Sequence, residues 1–152
     1  MERPLVVTDP SDRSPEMISE AGELAEAADA PLTVLTVVSD EEYSGDADVL
    51  KAISDVEGAN YEMSAAEYAK EVAESAISDI LSKYDIETEA VGRAVGDDDD
   101  RASEVLKTAE RHDNDYIFLL GRRRSPAGKA VFGDTAQKVI LNFDQYVVTM
   151  TE

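Results

Sequence analysis

The 152-residue chain contains no cysteine and no tryptophan, and His112 is its single histidine. These absences exclude disulfides, thiolate metal sites, cysteine nucleophiles and any site built from several histidines. No apolar run approaches the roughly 20 residues that a membrane-spanning helix needs. Pro4 and Asp9 interrupt the only early apolar run, so the N-terminus lacks the pattern of a secretory signal. We therefore expect a cytoplasmic protein.

Basic residues are scarce as well: 14 Lys and Arg stand against 34 Asp and Glu, which gives a net charge of −20. A chain this acidic repels nucleic acids and anionic membranes at long range, so neither is expected as a partner. The acids are spread along the chain, and 43% of its residues are hydrophobic, enough for a sizeable core. We interpret the charge as adaptation to a halophilic, salt-rich cytoplasm, and we expect one domain over residues 1–152.

Short apolar segments alternate with helical patterns along the whole chain. Strands are predicted at Leu5–Thr8, Leu32–Val38, Ile86–Val91, Tyr116–Leu120 and Tyr146–Met150. Helices are predicted after the N-cap Ser14 and the capping box Ser64–Glu67, and over Ala102–Arg111 and Lys129–Leu141, with a short one at Val49–Ile53. This alternation predicts an α/β fold, an open, single-layer, twisted parallel sheet with helices on both faces.

Ligands of such sheets bind beyond the carboxyl ends of the strands, where the strand order reverses. The segment Gly121–Lys129 follows the fourth strand and concentrates four of the 14 basic residues and two glycines in nine positions. It leads to a helix start near Gly133, where free amides beside Arg and Lys suit phosphate groups. The alternative is that Arg122–Arg124 pair only with surface carboxylates.

Two stretches carry a family resemblance. The opening Leu5-Val6-Val7-Thr8-Asp9-Pro10-Ser11, and the later Asp115–Gly121 with its basic loop and Phe132–Val139, resemble the universal stress protein family. The resemblance implies a five-stranded, Rossmann-like, adenine-nucleotide-binding fold with strand order 3-2-1-4-5. It also implies a homodimer formed through the last strand, Tyr146–Met150, whose exposed edge invites pairing with a second chain.

The resemblance further implies a nucleotide site. It places Asp9 near the ribose, Val37 beside the adenine, Gly121–Arg123 along the triphosphate and Gly133–Thr135 at the phosphate end. The candidate nucleotide-binding residues are Thr8, Asp9, Pro10, Val37, Gly121, Arg122, Arg123, Arg124, Gly128, Lys129, Gly133, Asp134 and Thr135. No residue is assigned a catalytic or metal-binding role.

The sequence departs from the family's ATP-binding pattern of Gly, two residues, Gly, nine residues, Gly, then Ser or Thr. Arg124 takes the place of the second glycine, Gly128 lies further on, and Asp134 stands where Ser or Thr is usual. A carboxylate there would repel a phosphate, although it can also cap a helix or hold a bridging metal ion. The arginines and Lys129 offset part of this loss.

Two functions therefore stay open. The first is a dimeric stress-type regulatory protein that binds ATP, with or without Mg²⁺, in the crevice between strands 1 and 4, with at most slow hydrolysis. The second is a dimeric interaction scaffold of the same fold that binds no nucleotide. A ligase or flavin protein fits less well, because Asp9–Asp12 offers no glycine-rich phosphate loop and aromatic residues make up only 6% of the chain.

Overall fold

The computed structural model describes residues 1–44, 64–97, 100–121 and 133–151. The strands are β1 (Pro4–Val7), β2 (Leu32–Ser39), β3 (Thr88–Val95), β4 (Tyr116–Gly121) and β5 (Tyr146–Thr151). The helices are α1 (Ser14–Ala27), α2 (Ala65–Ala76, continued by a π-helical turn over Ile77–Leu81), α3 (Arg101–Arg111) and α4 (Asp134–Asn142). The short helix predicted at Val49–Ile53 lies outside the described residues.

All five strands pair in parallel, in the order β3-β2-β1-β4-β5. This is the predicted fold class and the predicted strand order, and both are confirmed. Parallel strands need long crossovers, which the helices provide, and the right-handed rule for such crossovers leaves few other arrangements.

Helices cover the sheet on both faces and form two cores. On one face α3 and α4 pack against side chains that include Leu5, Leu35 and Ile117. On the other face α1 and α2 pack against Val6, Val34 and Phe118. Successive residues of one strand therefore belong to opposite cores, as the two-residue period of a strand requires. Both faces are apolar, so the central strands appear in the sequence as continuous hydrophobic runs.

Several predicted boundaries were wrong, and three of them have a clear physical reason. β3 ends at Val95 rather than Val91, because its register with β2 runs from Leu32↔Thr88 to Ser39↔Val95. α4 begins at Asp134 rather than Lys129, because Gly133 is extended with φ −64° and ψ 165°. Ser14 is the first residue of α1 rather than its N-cap, and its hydroxyl accepts a hydrogen bond from the Asp9 amide.

Candidate functional site

The central strand is also the shortest, and this leaves a gap in the sheet at its carboxyl edge. β1 stops at Val7, opposite Leu35 of β2, while β2 continues to Ser39. On the other side, β4 continues three residues past Phe118, the last partner of β1 in that pair. Neighbouring strands lie about 4.8 Å apart, so β2 and β4 are separated here by about 10 Å. We call this space, between residues 36–39 and 119–121, the slot.

The chain that leaves β1 turns tightly at the mouth of the slot. The Thr8 amide donates to the Leu35 carbonyl over 2.8 Å, and the Thr8 and Thr36 hydroxyl oxygens are 2.7 Å apart. The Asp9 carboxylate then accepts a bond from the Ser11 amide over 2.9 Å, and the Asp9 amide donates to the Ser14 hydroxyl over 3.0 Å. These contacts hold the turn that carries three of the predicted site residues, Thr8, Asp9 and Pro10.

The backbone of Val37 faces the slot. The carbonyl of Leu35 points toward β1, because it accepts the Thr8 amide. Carbonyls two residues apart in an extended strand point to the same side, so the carbonyl of Val37 points beyond the end of β1. There it accepts a hydrogen bond from the Arg101 guanidinium, which also pairs with Glu42. Only 18% of the Arg101 side chain is exposed, so this contact is largely shielded from solvent.

The remaining described candidates also lie at the carboxyl edge. Gly121 is the buried last residue of β4 and pairs with Thr151 of β5. Gly133, Asp134 and Thr135 form the start of α4, whose other end, Asn142, lies four residues before the start of β5 at the amino edge. Asp134 is exposed there. The other predicted phosphate ligands, Arg122, Arg123, Arg124, Gly128 and Lys129, lie outside the described residues.

Two arginines at this edge were not among the predicted site residues. Arg101 reaches Val37 from the first position of α3, and Arg13 in the turn before α1 donates to the Thr151 carbonyl over 3.0 Å. Arg101 did carry a signal in the sequence. The N-terminus of a helix bears partial positive charge and favours acids, so an arginine at that position indicates some other contact.

The described part of the edge is predominantly acidic. Arg13 and Arg101 are accompanied by several carboxylates on the same loops and helix starts: Asp9, Asp12, Asp40, Glu42, Asp97, Asp100 and Asp134. An anionic ligand placed here would be repelled unless further cations contribute. The basic segment after Gly121 is where the sequence supplies such cations.

A family model identifies the chain. The model of the universal stress protein family matches residues 1–149. The chain belongs to the universal stress protein family. The resemblance noted from Leu5–Ser11 and Asp115–Val139 is thereby confirmed at the level of the family. A comparison with curated protein sequences found no match.

Solved structures of other universal stress proteins share the fold. One from Archaeoglobus fulgidus is 26% identical with a TM-score of 0.68, and the match covers 98% of both chains. A second A. fulgidus structure, in complex with dAMP, is 18% identical with a TM-score of 0.58, over 98% of this chain and 97% of that one. A universal stress protein in complex with cAMP is 19% identical with a TM-score of 0.57, over 99% and 96% of the two chains.

Within the ranges that the structure describes, the helices of this universal stress protein are all too short or too polar to cross a bilayer. The same ranges contain no group of three or more His, Asp or Glu side chains arranged to hold a metal ion.

Proposed function

We propose that this universal stress protein binds an adenine nucleotide in the slot and acts as a dimeric regulatory protein. One observation carries the proposal: β1 ends early between two longer strands, which leaves a space about two strand spacings wide at the reversal of strand order. Two relatives of the same fold were solved with dAMP and with cAMP, which supports a nucleotide rather than another ligand.

In the proposed arrangement the nucleotide extends across the carboxyl edge from β2 to the start of α4. The base lies against β2 near Val37, the ribose lies near Asp9 after β1, and the phosphates extend past Gly121 toward the start of α4. The amides that begin α4 are free to bind phosphate oxygens, as at any helix start. Arg122, Arg123, Arg124 and Lys129 supply the positive charge that the rest of this acidic edge lacks.

ATP, with or without Mg²⁺, is the proposed nucleotide, and Mg²⁺ would be bound mainly through the phosphates and water, as is usual for this ion. No general base is assigned, so we expect at most slow hydrolysis. Asp134 disfavours a long phosphate chain, because its exposed carboxylate lies where the terminal phosphates of the proposed nucleotide would be. We therefore expect AMP to bind at least as well as ATP in the absence of Mg²⁺.

Isothermal titration calorimetry of the purified protein with AMP and with Mg-ATP, in high salt, tests the proposal. The informative variant replaces Arg122, Arg123 and Arg124 with alanine, and it should lose most of the affinity for both ligands. A variant with Lys107, Arg111 and Lys138 replaced removes the same charge from α3 and α4 and should bind normally. Absence of binding to the unmodified protein would contradict the proposal.

An interaction scaffold without nucleotide is the second candidate, and two observations favour it. The Val37 carbonyl already accepts a hydrogen bond from Arg101, and Asp134 presents a carboxylate where phosphate would arrive. In this case the titrations with AMP and Mg-ATP release no binding heat, and mass spectrometry of denatured protein finds no small molecule.

The homodimer is proposed to form through β5. This strand ends the sheet order, its residues 147–150 are only half-buried, and the exposed side chains of Leu141 (73%) and Tyr146 (60%) lie just before it or at its start. Sedimentation in high salt should give a dimer, and Leu141→Ser should shift it toward the monomer. Leu24→Ser, on α1, is the control and should sediment unchanged. A monomeric unmodified protein would contradict this proposal.

The acidic surface is proposed to reflect a halophilic cytoplasm, and residues 1–152 are proposed to form one domain. A net charge of −20 destabilises the compact state by self-repulsion, and salt screens that repulsion. A single thermal unfolding transition whose midpoint rises steadily from low to molar KCl is expected. A midpoint independent of salt would argue against the habitat, and two separated transitions would argue against one domain.

A further inference from the structure

Arg101 lies in the slot where the proposed nucleotide would place its base. Its guanidinium donates to the Val37 carbonyl, which points into the slot beyond the end of β1. Its other terminal nitrogen pairs with the Glu42 carboxylate, on the helical turn that follows β2. The turn is itself fixed, because the Ser39 hydroxyl accepts the Glu42 amide over 3.2 Å. The arginine is therefore held in the slot from two sides.

The helix α3 does not itself favour an arginine at its first position. Arg101 is the first residue of the helix, where a positive charge is disfavoured by the helix dipole. Its side chain is only 18% exposed, so its charge has also lost much of its hydration. Glu42 and the Val37 carbonyl offset these costs, and both are at the slot. These two contacts of Arg101 thus reach the end of β2 and the turn that follows it.

We propose that Arg101 is a specificity-determining residue that competes with a nucleobase for the Val37 carbonyl. This inference rests on the proposed function. The exocyclic amino group of adenine is a hydrogen-bond donor and needs an acceptor, and the Val37 carbonyl is an acceptor directed into the slot. The guanidinium is planar, of nearly the size of one ring of the base, and it already uses this acceptor. An adenine base binds there only when Arg101 moves aside with Glu42.

The proposal predicts that removal of the side chain strengthens binding of the base. Arg101→Ala should bind AMP and adenosine about tenfold more tightly, because a charge-assisted hydrogen bond no longer has to be displaced. Glu42→Gln weakens the hold on Arg101 and should give a smaller gain in the same direction. Ribose 5-phosphate has no base, so its affinity should not rise in either variant.

Arg111→Ala is the matched control, because Arg111 has the same charge at the opposite end of the same helix. Calorimetry with AMP, adenosine and ribose 5-phosphate is run on all four proteins, and circular dichroism and thermal unfolding show whether each is folded. Where Arg101→Ala does not fold, Glu42→Gln provides the same comparison. Base-dependent tightening relative to the unmodified protein supports the inference.

Two results overturn it while leaving the proposed function intact. In the first, Arg101→Ala and Arg111→Ala bind AMP as tightly as the unmodified protein. In the second, Arg101→Ala binds AMP and ribose 5-phosphate more weakly, which would mean that the guanidinium attracts the phosphate. If none of the proteins binds any of the three compounds, the proposed function fails and the inference fails with it.

Discussion

The two edges of the sheet use polar groups in opposite ways. At the amino edge, Asp115 accepts hydrogen bonds from the Glu2 and Arg3 amides, each over 2.8 Å, and the Asn114 amide group donates to the Arg3 carbonyl over 2.9 Å. These side chains bind the protein's own backbone and join the start of β1 to that of β4. At the carboxyl edge the strands end at different heights, and the backbone there faces a slot.

The difference indicates where the fold gains stability and where it keeps room for a ligand. Polar groups that satisfy the chain's own amides contribute to the free energy of unfolding. Backbone groups left at the end of a short strand are available to side chains or ligands. Changes at the amino edge should therefore alter stability, and changes at the carboxyl edge should mainly alter binding. Measurements at both edges test this contrast, and a packing variant between them sets the scale of the largest effect.

The largest loss of unfolding free energy should come from neither edge but from the close packing of β3 against α2. A Cβ atom added to Gly92 of β3 would lie 2.2 Å from the Lys70 amide nitrogen and 2.4 Å from the Ala66 carbonyl oxygen. Backbone of α2 cannot yield locally, so Gly92→Ala should cost about 3 kcal/mol or more in unfolding free energy. Denaturant unfolding measures this change.

Gly22→Ala is the control for that substitution. A Cβ at Gly22 meets the Leu81 and Tyr84 side chains rather than backbone, the shortest approach being 2.5 Å to a terminal Leu81 carbon. Side chains adjust more easily, and alanine favours the helix, so this variant should lose clearly less stability. Equal losses for the two variants would show that direct contact with α2 backbone is not the reason.

At the amino edge, Asp115→Ala should lower the unfolding free energy by about 2 kcal/mol at neutral pH, because the Glu2 and Arg3 amides lose a charged acceptor. AMP binding by the folded variant should stay unchanged, since the slot is at the other edge. Denaturant unfolding and calorimetry measure the two quantities. A variant of full stability that binds AMP poorly would reverse the contrast between the edges.

The same carboxylate gives a pH dependence. Burial by itself raises the pKa of Asp115, but the Arg3 and Glu2 amides and the N-terminal ammonium lower it, and the net pKa lies below the ordinary 3.8. The unfolded chain then binds this proton more readily, so the stabilisation is complete above pH 3.8 and is lost as the pH falls through the lowered value.

Asp115→Asn removes this titration. The stability difference between the unmodified protein and Asp115→Asn should be constant near neutral pH and should shrink below pH 3.8. Denaturant unfolding at several pH values in constant salt follows it. A difference that grows on acidification would mean that the folded state does not favour the ionised carboxylate.

The smallest effect is expected at the mouth of the slot. Thr8→Val removes one partner of the 2.7 Å hydroxyl pair with Thr36, which should cost about 1 kcal/mol. The double variant with Thr36→Val should recover part of that loss, because no hydroxyl is then left unpaired. Thermal unfolding of Thr8→Val, Thr36→Val and the double variant gives the coupling free energy between the two hydroxyls. Additive losses would show that the two hydroxyls do not interact.

The sequence allowed the order of elements and the parallel sheet to be predicted, and the boundaries that failed did so for nonlocal reasons. Apolar runs such as Tyr116–Leu120 identify buried strands without reference to the rest of the chain. The end of β3 depends on its partner, because residues 92–95 pair with residues 36–39 of β2. Residues 92–95 by themselves show only a weak alternation of apolar and polar side chains. Ser14 resembles a cap, but its hydroxyl instead binds Asp9, five residues earlier.

In the candidate site too, some residues could be predicted from the sequence and others could not. Thr8–Pro10 and Gly121 lie where a parallel sheet of this order must place them, so the sequence alone could select them. Arg101 is separated from Val37 by 64 residues and contacts it only because α3 begins beside the end of β2. Its place at a helix start indicates a contact outside the helix, but no spacing or motif in the chain identifies Val37 as the partner.

The amino-acid sequence by itself determined the strands and helices of this universal stress protein, its acidic surface and its family, because these depend on local composition and on periods of a few residues. The tertiary structure decided the strand register, the depth of the slot and the guanidinium that lies in it. These depend on how far each strand extends past its neighbour, which is a property of paired backbones and of no single segment.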